Sequence, residues 1–457
     1  MDAQQNNVTL AQFKAVLDAA KKAQVELDYN VNAAGIPTDI WQRDHLVVSA
    51  DVADSEIDIV KPRLVREDPT RTGQARLVEI TSGVPARDAV LAFAGDGRLG
   101  RGVALNHLVS ICPVNLCPAD EPQPVPAGAP PLPAWRDDDG GRGVFVKVID
   151  TGLAEGYEND HPWLTGGRAV GGTLCEARWP DIVTGDGRTS YTVPGEIRLY
   201  AGHGEFIAGV LRCVAPATRV SVSNALQWAG AATVYDLRDA LLAALDEAPD
   251  IISLSAGVAL PGEGHPALED VLTRLGEPGC RTLLVAAAGN DGEGDGARFF
   301  PAYFAGDAPD RVVAVGALRT DRKGRACFSN HPGWVSVYED GERLVNAFPV
   351  GRYTYQEPPA ADGCRYYPGR DPLEDHCTCV DTFAAGNAPV RFDGMASWSG
   401  TSFATPIVVA RIARHMSENG VTGAREAWRQ LRESDRMASI IDDGDRHTEL
   451  RMFRTKV

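Results

Sequence analysis

The sequence is short of basic charge: 45 Lys and Arg stand against 62 Asp and Glu, a formal net charge of -17. A phosphate backbone is held by clustered cations, so nucleic acid is not an expected partner. The chain also lacks any apolar run near the ~20 residues that a membrane helix needs, so no membrane partner is expected. Its start, Met1-Asp2-Ala3-Gln4-Gln5-Asn6-Asn7, has neither the basic head nor the apolar core of a secretory leader. The expectation is a cytoplasmic protein, or a secreted one if a leader has been removed. Cysteine is sparse and odd in number, nine in 457 residues. That is no small-domain disulfide framework, and it fits a reducing compartment. There is no internal repeat, and nothing specifies an oligomeric state.

What is present divides into four stretches. Residues 1–118 read as a small α+β unit. An amphipathic helix over 9–24 puts Phe13, Val16, Leu17 and Ala20 on one face, and Thr9 and Gln12 have capping-box spacing. Strands are expected at His45–Ala50, Glu56–Val60 and Arg76–Ile80, with a second helix at Ala86–Phe93. Residues 119–140 are a Pro-rich linker, because proline lacks the N–H and fixes φ. From 141 to 432 apolar strands at Val144–Ile149, Arg219–Ser223, Ile251–Leu254, Thr282–Ala287 and Arg311–Val315 alternate with helices at His203–Leu211, Val234–Leu245 and Pro266–Leu275. That rhythm predicts a mostly parallel sheet covered by helices on both faces, a three-layer α/β/α domain with its site beyond the carboxyl ends of the strands. Residues 346–395 are longer than a compact core needs and read as an insertion, and the charged residues 433–457 as a surface tail or last helix.

Four motifs carry chemistry. Asp150-Thr151-Gly152 ends a buried strand, which can hold a carboxylate rigidly in a cleft; an Asp there is also a common turn or capping residue. Gly202-His203-Gly204 opens a helix, a place that equally suits a core or capping histidine. Ala287-Ala288-Gly289-Asn290 ends a strand on an amide able to donate, though Asn after a strand is often just a turn residue. Gly400-Thr401-Ser402-Phe403-Ala404-Thr405-Pro406 runs into an apolar helix, so Ser402 has an exposed hydroxyl and one of the helix's unpaired N–H groups.

Taken in the order Asp, His, Asn, Ser, these motifs resemble the subtilisin-like serine proteases over about residues 141–432. His161-Pro162-Trp163-Leu164 and Val214-Ala215-Pro216 are further matches. The resemblance implies a serine endopeptidase acting on a peptide or protein substrate. Ser402 would be the nucleophile, His203 its base, Asp150 the group that orients His203, and Asn290 with the Ser402 N–H the oxyanion donors. Ser253, Leu254, Ser255 and Ala256 would form the strand that pairs with the substrate, with Ala287, Ala288 and Gly289 opposite. No cofactor is required for this chemistry. Structural calcium is implied by the resemblance alone; acidic loops at Asp291–Asp295 and Asp137–Asp139 carry no calcium-loop motif. A catalytically silent binding module on the same fold is the alternative, and retention of every triad member argues against it.

The departures from the family pattern shape further expectations. Glu205 replaces a usual Thr near His203, and would either bear on the base or point elsewhere. Ser255 replaces a usual Gly and would crowd the substrate strand, which favours a narrow processing specificity. Phe403 replaces a usual Met and should resist oxidation. Phe299, if it fills the primary specificity pocket, would restrict the residue before the cut to a small one. Cys364, His376, Cys377 and Cys379 lack common zinc spacing and read as plain thiols or a local disulfide. The N-terminal unit has the position of a family propeptide; without a secretory leader, a permanent accessory domain is favoured.

Overall fold

A computed structural model of the chain describes residues 6–33, 35, 37–67, 73–111, 121–165, 170–175, 195–260, 262, 264–292, 298–331, 333–355, 389–442 and 448–456. Its centre is a nine-stranded sheet. Read across, the strands are Met437–Ile441, Glu449–Phe453, Val337–Asp340, Val312–Leu318, Leu283–Ala287, Ile251–Leu254, Phe145–Asp150, Arg219–Asn224 and Val170–Gly172. All neighbours pair in parallel except the first two. Every residue of Ile251–Leu254, Leu283–Ala287 and Val312–Leu318 is buried. Strands covered on both faces need side chains that are apolar on both, which is why these runs do not alternate. Each such Val or Leu contributes about 1.5–3 kcal/mol relative to exposure.

Helices His203–Val214 and Thr401–Asn419 pack together, and Val234–Asp246 packs on Pro266–Gly276. The expected three-layer α/β/α domain is therefore present, with strands and helices within a few residues of their sequence positions. Strand tips Asp150, Leu254 and Ala287 lie at the carboxyl edge. This is the edge at which a parallel sheet gathers its site.

The N-terminal unit is α+β, as expected, but its sheet is not its own. Val103–Ser110 pairs on one side with Pro37–Val48 and on the other with Ala231–Thr233. The unit also docks on the two helices that follow. Tyr235 donates its N–H to Asn106 Oδ1 at 3.1 Å and its hydroxyl to the Arg66 carbonyl at 3.1 Å. Arg238, 1% exposed, donates to Gln74 Oε1 at 2.6 Å and to Asp270 Oδ2 at 3.0 Å. His265 caps its helix through Nδ1 and meets the Leu105 carbonyl through Nε2 at 2.9 Å.

Three expectations are corrected. Glu56–Val60 is not a strand: Asp54–Glu56 and Asp58–Val60 are single 3-10 turns. Glu56 reaches back to the Ala53 N–H at 2.9 Å, and Lys61 turns the chain at φ 46°, so local capping outweighs the alternating pattern. The Pro-rich stretch is a strap, not a free linker. Gln123–Pro124 pairs with Ala396 and Ser397, and Leu132 exchanges backbone bonds with Val345. Residues 437–441 and 449–453 are neither tail nor helix. They form an antiparallel strand pair joined to the main sheet at Tyr338, burying Leu450 and Met452 while Arg451 stays exposed. That period-two alternation was masked by the surrounding charge.

Cys112, Cys117, Cys364, His376, Cys377 and Cys379 lie outside the described residues. Of the acidic loops, Asp138 is held by Arg414 at 2.7 Å and Asp139 is paired with Arg142. Among the described residues no helix is long and apolar enough to cross a membrane, and no group of three His, Cys, Asp or Glu side chains is arranged to hold a metal ion.

Candidate active site

Asp150 is the last residue of its strand and fully buried. Its Oδ1 accepts the Thr151 N–H at 2.7 Å and the Thr151 hydroxyl at 3.2 Å. Both carboxylate oxygens face His203 Nδ1, at 2.8 and 3.0 Å. A ring nitrogen facing a carboxylate is the one that carries the proton, so Nε2 is left as the basic nitrogen.

His203 is the first residue of its helix, after Gly202 at φ 92°. A Cβ at Gly202 would meet Pro349 Cδ at 2.4 Å, and one at Gly204 would meet the Gly152 carbonyl at 2.6 Å. Glycine on either side thus lets the helix start lie directly on the Asp150 loop. Gly204 N donates to Thr151 Oγ1 at 3.1 Å, tying the two together. The imidazole is boxed by aromatic rings, Trp398 edge-on at 5.4 Å and Phe403 at 5.2 Å between centroids. Phe403, the departure beside Ser402, therefore packs on the base. Trp398 and Thr151 are contributors that sequence reasoning missed; no spacing links Trp398 to His203, while Thr151 stood within a quoted motif.

Ser402 lies in the first turn of the Thr401–Asn419 helix, where N–H groups have no helical partner. Its hydroxyl donates to the Ser255 carbonyl at 3.3 Å, and His203 Nε2 is buried with no partner among the described residues. Phe403, next in the chain, packs on the imidazole, so the Ser402 helix start lies against His203. Asn290 accepts both the N–H and the hydroxyl of Thr401 on Oδ1, each at 2.9 Å. Fixing Oδ1 makes Nδ2 the donor end of that amide, next to the Ser402 helix start.

Ser253, Leu254, Ser255 and Ala256, the expected substrate strand, are all buried. Ser255 does not crowd the strand edge as expected; its hydroxyl turns inward and donates to the Ser402 carbonyl at 2.8 Å. Ala287 and Ala288 are buried at the facing strand tip, and Gly289 takes φ 99°. Phe299, 2% exposed, lies between the two walls: a Cβ at Gly257 would meet its Cε1 at 2.3 Å, and one at Gly289 its Cγ at 3.0 Å. Beyond Ala256, Gly257 exchanges two backbone bonds with Ser110, each 3.1 Å, and Ile111 N donates to the Gly230 carbonyl at 3.0 Å. The N-terminal unit thus runs an extended segment between these two edges. Nearby, burial pushes the Cys175 thiol up to about 12, with Glu205 and Asp150 adding to the effect.

The geometry defines an α/β protein with an Asp–His pair, a serine at a helix start and an oriented amide at one sheet edge. Residues 141–434 match the family model of the subtilase family, Peptidase_S8, and the chain belongs to that family. It is 31% identical over 224 residues to a thermophilic serine proteinase of Bacillus sp. (strain AK1), covering 49% of this chain and 50% of that one. It is 29% identical over 233 residues to an intracellular serine protease of Paenibacillus polymyxa, covering 48% and 63%. The chain thus spans between half and just under two thirds of the length of these relatives. Fervidolysin from Fervidobacterium pennivorans, a keratinolytic enzyme related to subtilisin, shares the fold with a TM-score of 0.50 at 16% identity, over 87% of this chain and 58% of that one.

Proposed function

We propose that the protein is a serine endopeptidase with Asp150, His203 and Ser402 as its triad. The observation that carries this reading is the buried His203 Nδ1–Asp150 bond at 2.8 Å, which leaves Nε2 as the base beside the Ser402 helix start. Ser402 Oγ swings from the Ser255 carbonyl to Nε2 and attacks the peptide carbonyl carbon while its proton passes to His203. Asp150 stabilises the imidazolium. The oxyanion is held by Asn290 Nδ2 and Ser402 N, each such donor being worth about 2.7–4 kcal/mol at the transition state. Collapse breaks the C–N bond, and His203 returns the proton to the leaving amine. Water then repeats the sequence on the acyl-serine.

Phe299 supports selectivity. Its ring takes up the space between the Gly257 and Gly289 walls, so the residue preceding the cut is small, and cleavage is selective instead of general. The segment at Ser110 and Ile111 pairs with Gly257, one residue beyond the strand that an extended substrate would use. This supports reading the N-terminal unit as a partial occlusion of the cleft that slows access to Ser402. Relatives named as intracellular proteases support the same compartment for this chain.

The test is intact mass after fluorophosphonate treatment of the full-length chain. A single adduct, lost in Ser402→Ala, is expected. Absence of the adduct, both in the folded wild type and after the Ile111 edge is loosened by substitution, would sink the reading.

A further inference from the structure

Glu205 is a fully buried carboxylate two residues from His203, at a place where the family usually has a shorter hydroxyl side chain. It does not face the catalytic imidazole. Its Oε2 accepts the Ala154 N–H at 3.1 Å, and its Oε1 lies 2.7 Å from His161 Nε2. The same His161 nitrogen faces the Phe348 carbonyl at 3.1 Å. His161 Nε2 is hydrogen-bonded to that carbonyl, so it carries a proton, and Glu205 Oε1 meets it at ion-pair distance without an aligned hydrogen bond.

These contacts converge on the start of the His203 helix. Gly204 holds Thr151, and Glu205 holds Ala154, so successive helix residues grip both ends of the loop that follows Asp150. Through His161, Glu205 also holds the turn at 157–165 and the Phe348 segment. Pro349 presses on Gly202, and Phe348 packs on Trp398 at 5.8 Å, which in turn packs on His203 at 5.4 Å. Glu205 is the one side chain in this set that joins all three segments to the first helical turn.

We propose that Glu205, clamped by His161, is a positioning residue for His203. It fixes the loop after Asp150 and the Phe348 segment against the helix start. Nδ1 of His203 then stays on Asp150 while Nε2 faces the place taken by Ser402 Oγ. This rests on the triad reading given above. A carboxylate serves both contacts, Oε2 accepting the Ala154 N–H and Oε1 facing the His161 ring at ion-pair distance. An amide offers one acceptor and turns its NH2 against the other donor, and threonine is too short to span both.

The test uses the full-length chain and two readouts at a temperature well below unfolding. One is the rate of fluorophosphonate labelling of Ser402. The other is the low-field proton resonance of His203 Nδ1–H on Asp150, identified by its loss in His203→Ala, which needs no turnover. Glu205→Gln and Glu205→Thr are expected to keep the fold by circular dichroism, to slow labelling about 10- to 100-fold, and to shift or broaden the resonance. On a cleavable peptide kcat falls more than KM rises. Should the Glu205 variants not fold, the His161 pair decides: His161→Gln, which retains a donor, stays near wild type, and His161→Ala loses labelling and resonance together.

Folded Glu205 variants, or a folded His161→Ala, with both readouts within about two-fold of wild type would overturn the proposal. A wild type that is never labelled, but whose resonance still responds to Glu205→Gln, would sink the peptidase reading and leave the positioning role standing. A wild type with neither signal overturns both.

Discussion

Ser255 and Ser402 are bonded to each other reciprocally: the Ser255 hydroxyl donates to the Ser402 carbonyl at 2.8 Å, and the Ser402 hydroxyl donates to the Ser255 carbonyl at 3.3 Å. The reason lies four residues on. In a helix the Ser402 carbonyl takes its bond from residue 406, and residue 406 is proline, which has no N–H. Ser255 supplies the missing donor. Ser255→Ala should therefore lower stability by about 1–3 kcal/mol, the cost of a buried carbonyl left unpaired. Urea unfolding with an unchanged midpoint would show that another donor takes over.

Phe299 occupies the space between Gly257 and Gly289. Phe299→Ala is expected to move the preferred residue before the cut from small to large and apolar in a peptide-library profile. It should also destabilise the chain by about 3–5 kcal/mol, as large-to-small core changes do. A wild-type profile that already favours large aromatic residues would contradict this placement.

Ile111 is 2% exposed, packed on Gly230, and bonded through its N–H to the Gly230 carbonyl. Ile111→Asp places a charge at a buried apolar position and loosens the segment from the cleft edge. Labelling of Ser402 should then accelerate several-fold in the full chain. Unchanged labelling would mean that this segment does not limit access to the site.

The docking of the N-terminal unit should weaken in acid. Burial holds His265 down to about 3, with His107 nearby adding to it, and burial holds His107 to about 4. Undocked, each returns to about 6.5. Above that pH both are neutral in either state. Below it the undocked form binds protons that the docked form refuses. Docking therefore loses up to about 1.4 kcal/mol per histidine per pH unit as pH falls toward the docked values. Hydrogen exchange of the Val103–Ser110 strand at pH 7, 5.5 and 4.5 measures this, and His265→Gln should flatten the dependence. Equal protection at all three values would count against it.

Much of the fold was legible because its elements are locally encoded. Val146, Val148 and Ile149 form an apolar run too short for a helix, the run ends on Asp150, and a parallel sheet gathers such ends at one edge. The motifs around His203, Asn290 and Ser402 were legible for the same reason: each is a strand end or a helix start marked by glycine. Other features depend on partners distant in the chain. Glu205 could be seen as a departure, but only folding brings Ala154 and His161 to it. Ser255 read as an obstruction until the Ser402 carbonyl, orphaned by Pro406, came within 2.8 Å. The pairing of Met437–Ile441 with Glu449–Phe453 and the edge shared by Ser110 and Gly257 likewise required the sheet to exist first. Local sequence sets which backbone a segment prefers; which donor meets which acceptor across 50 or 150 residues is decided by packing, because a buried polar group must find its partner wherever the fold delivers one.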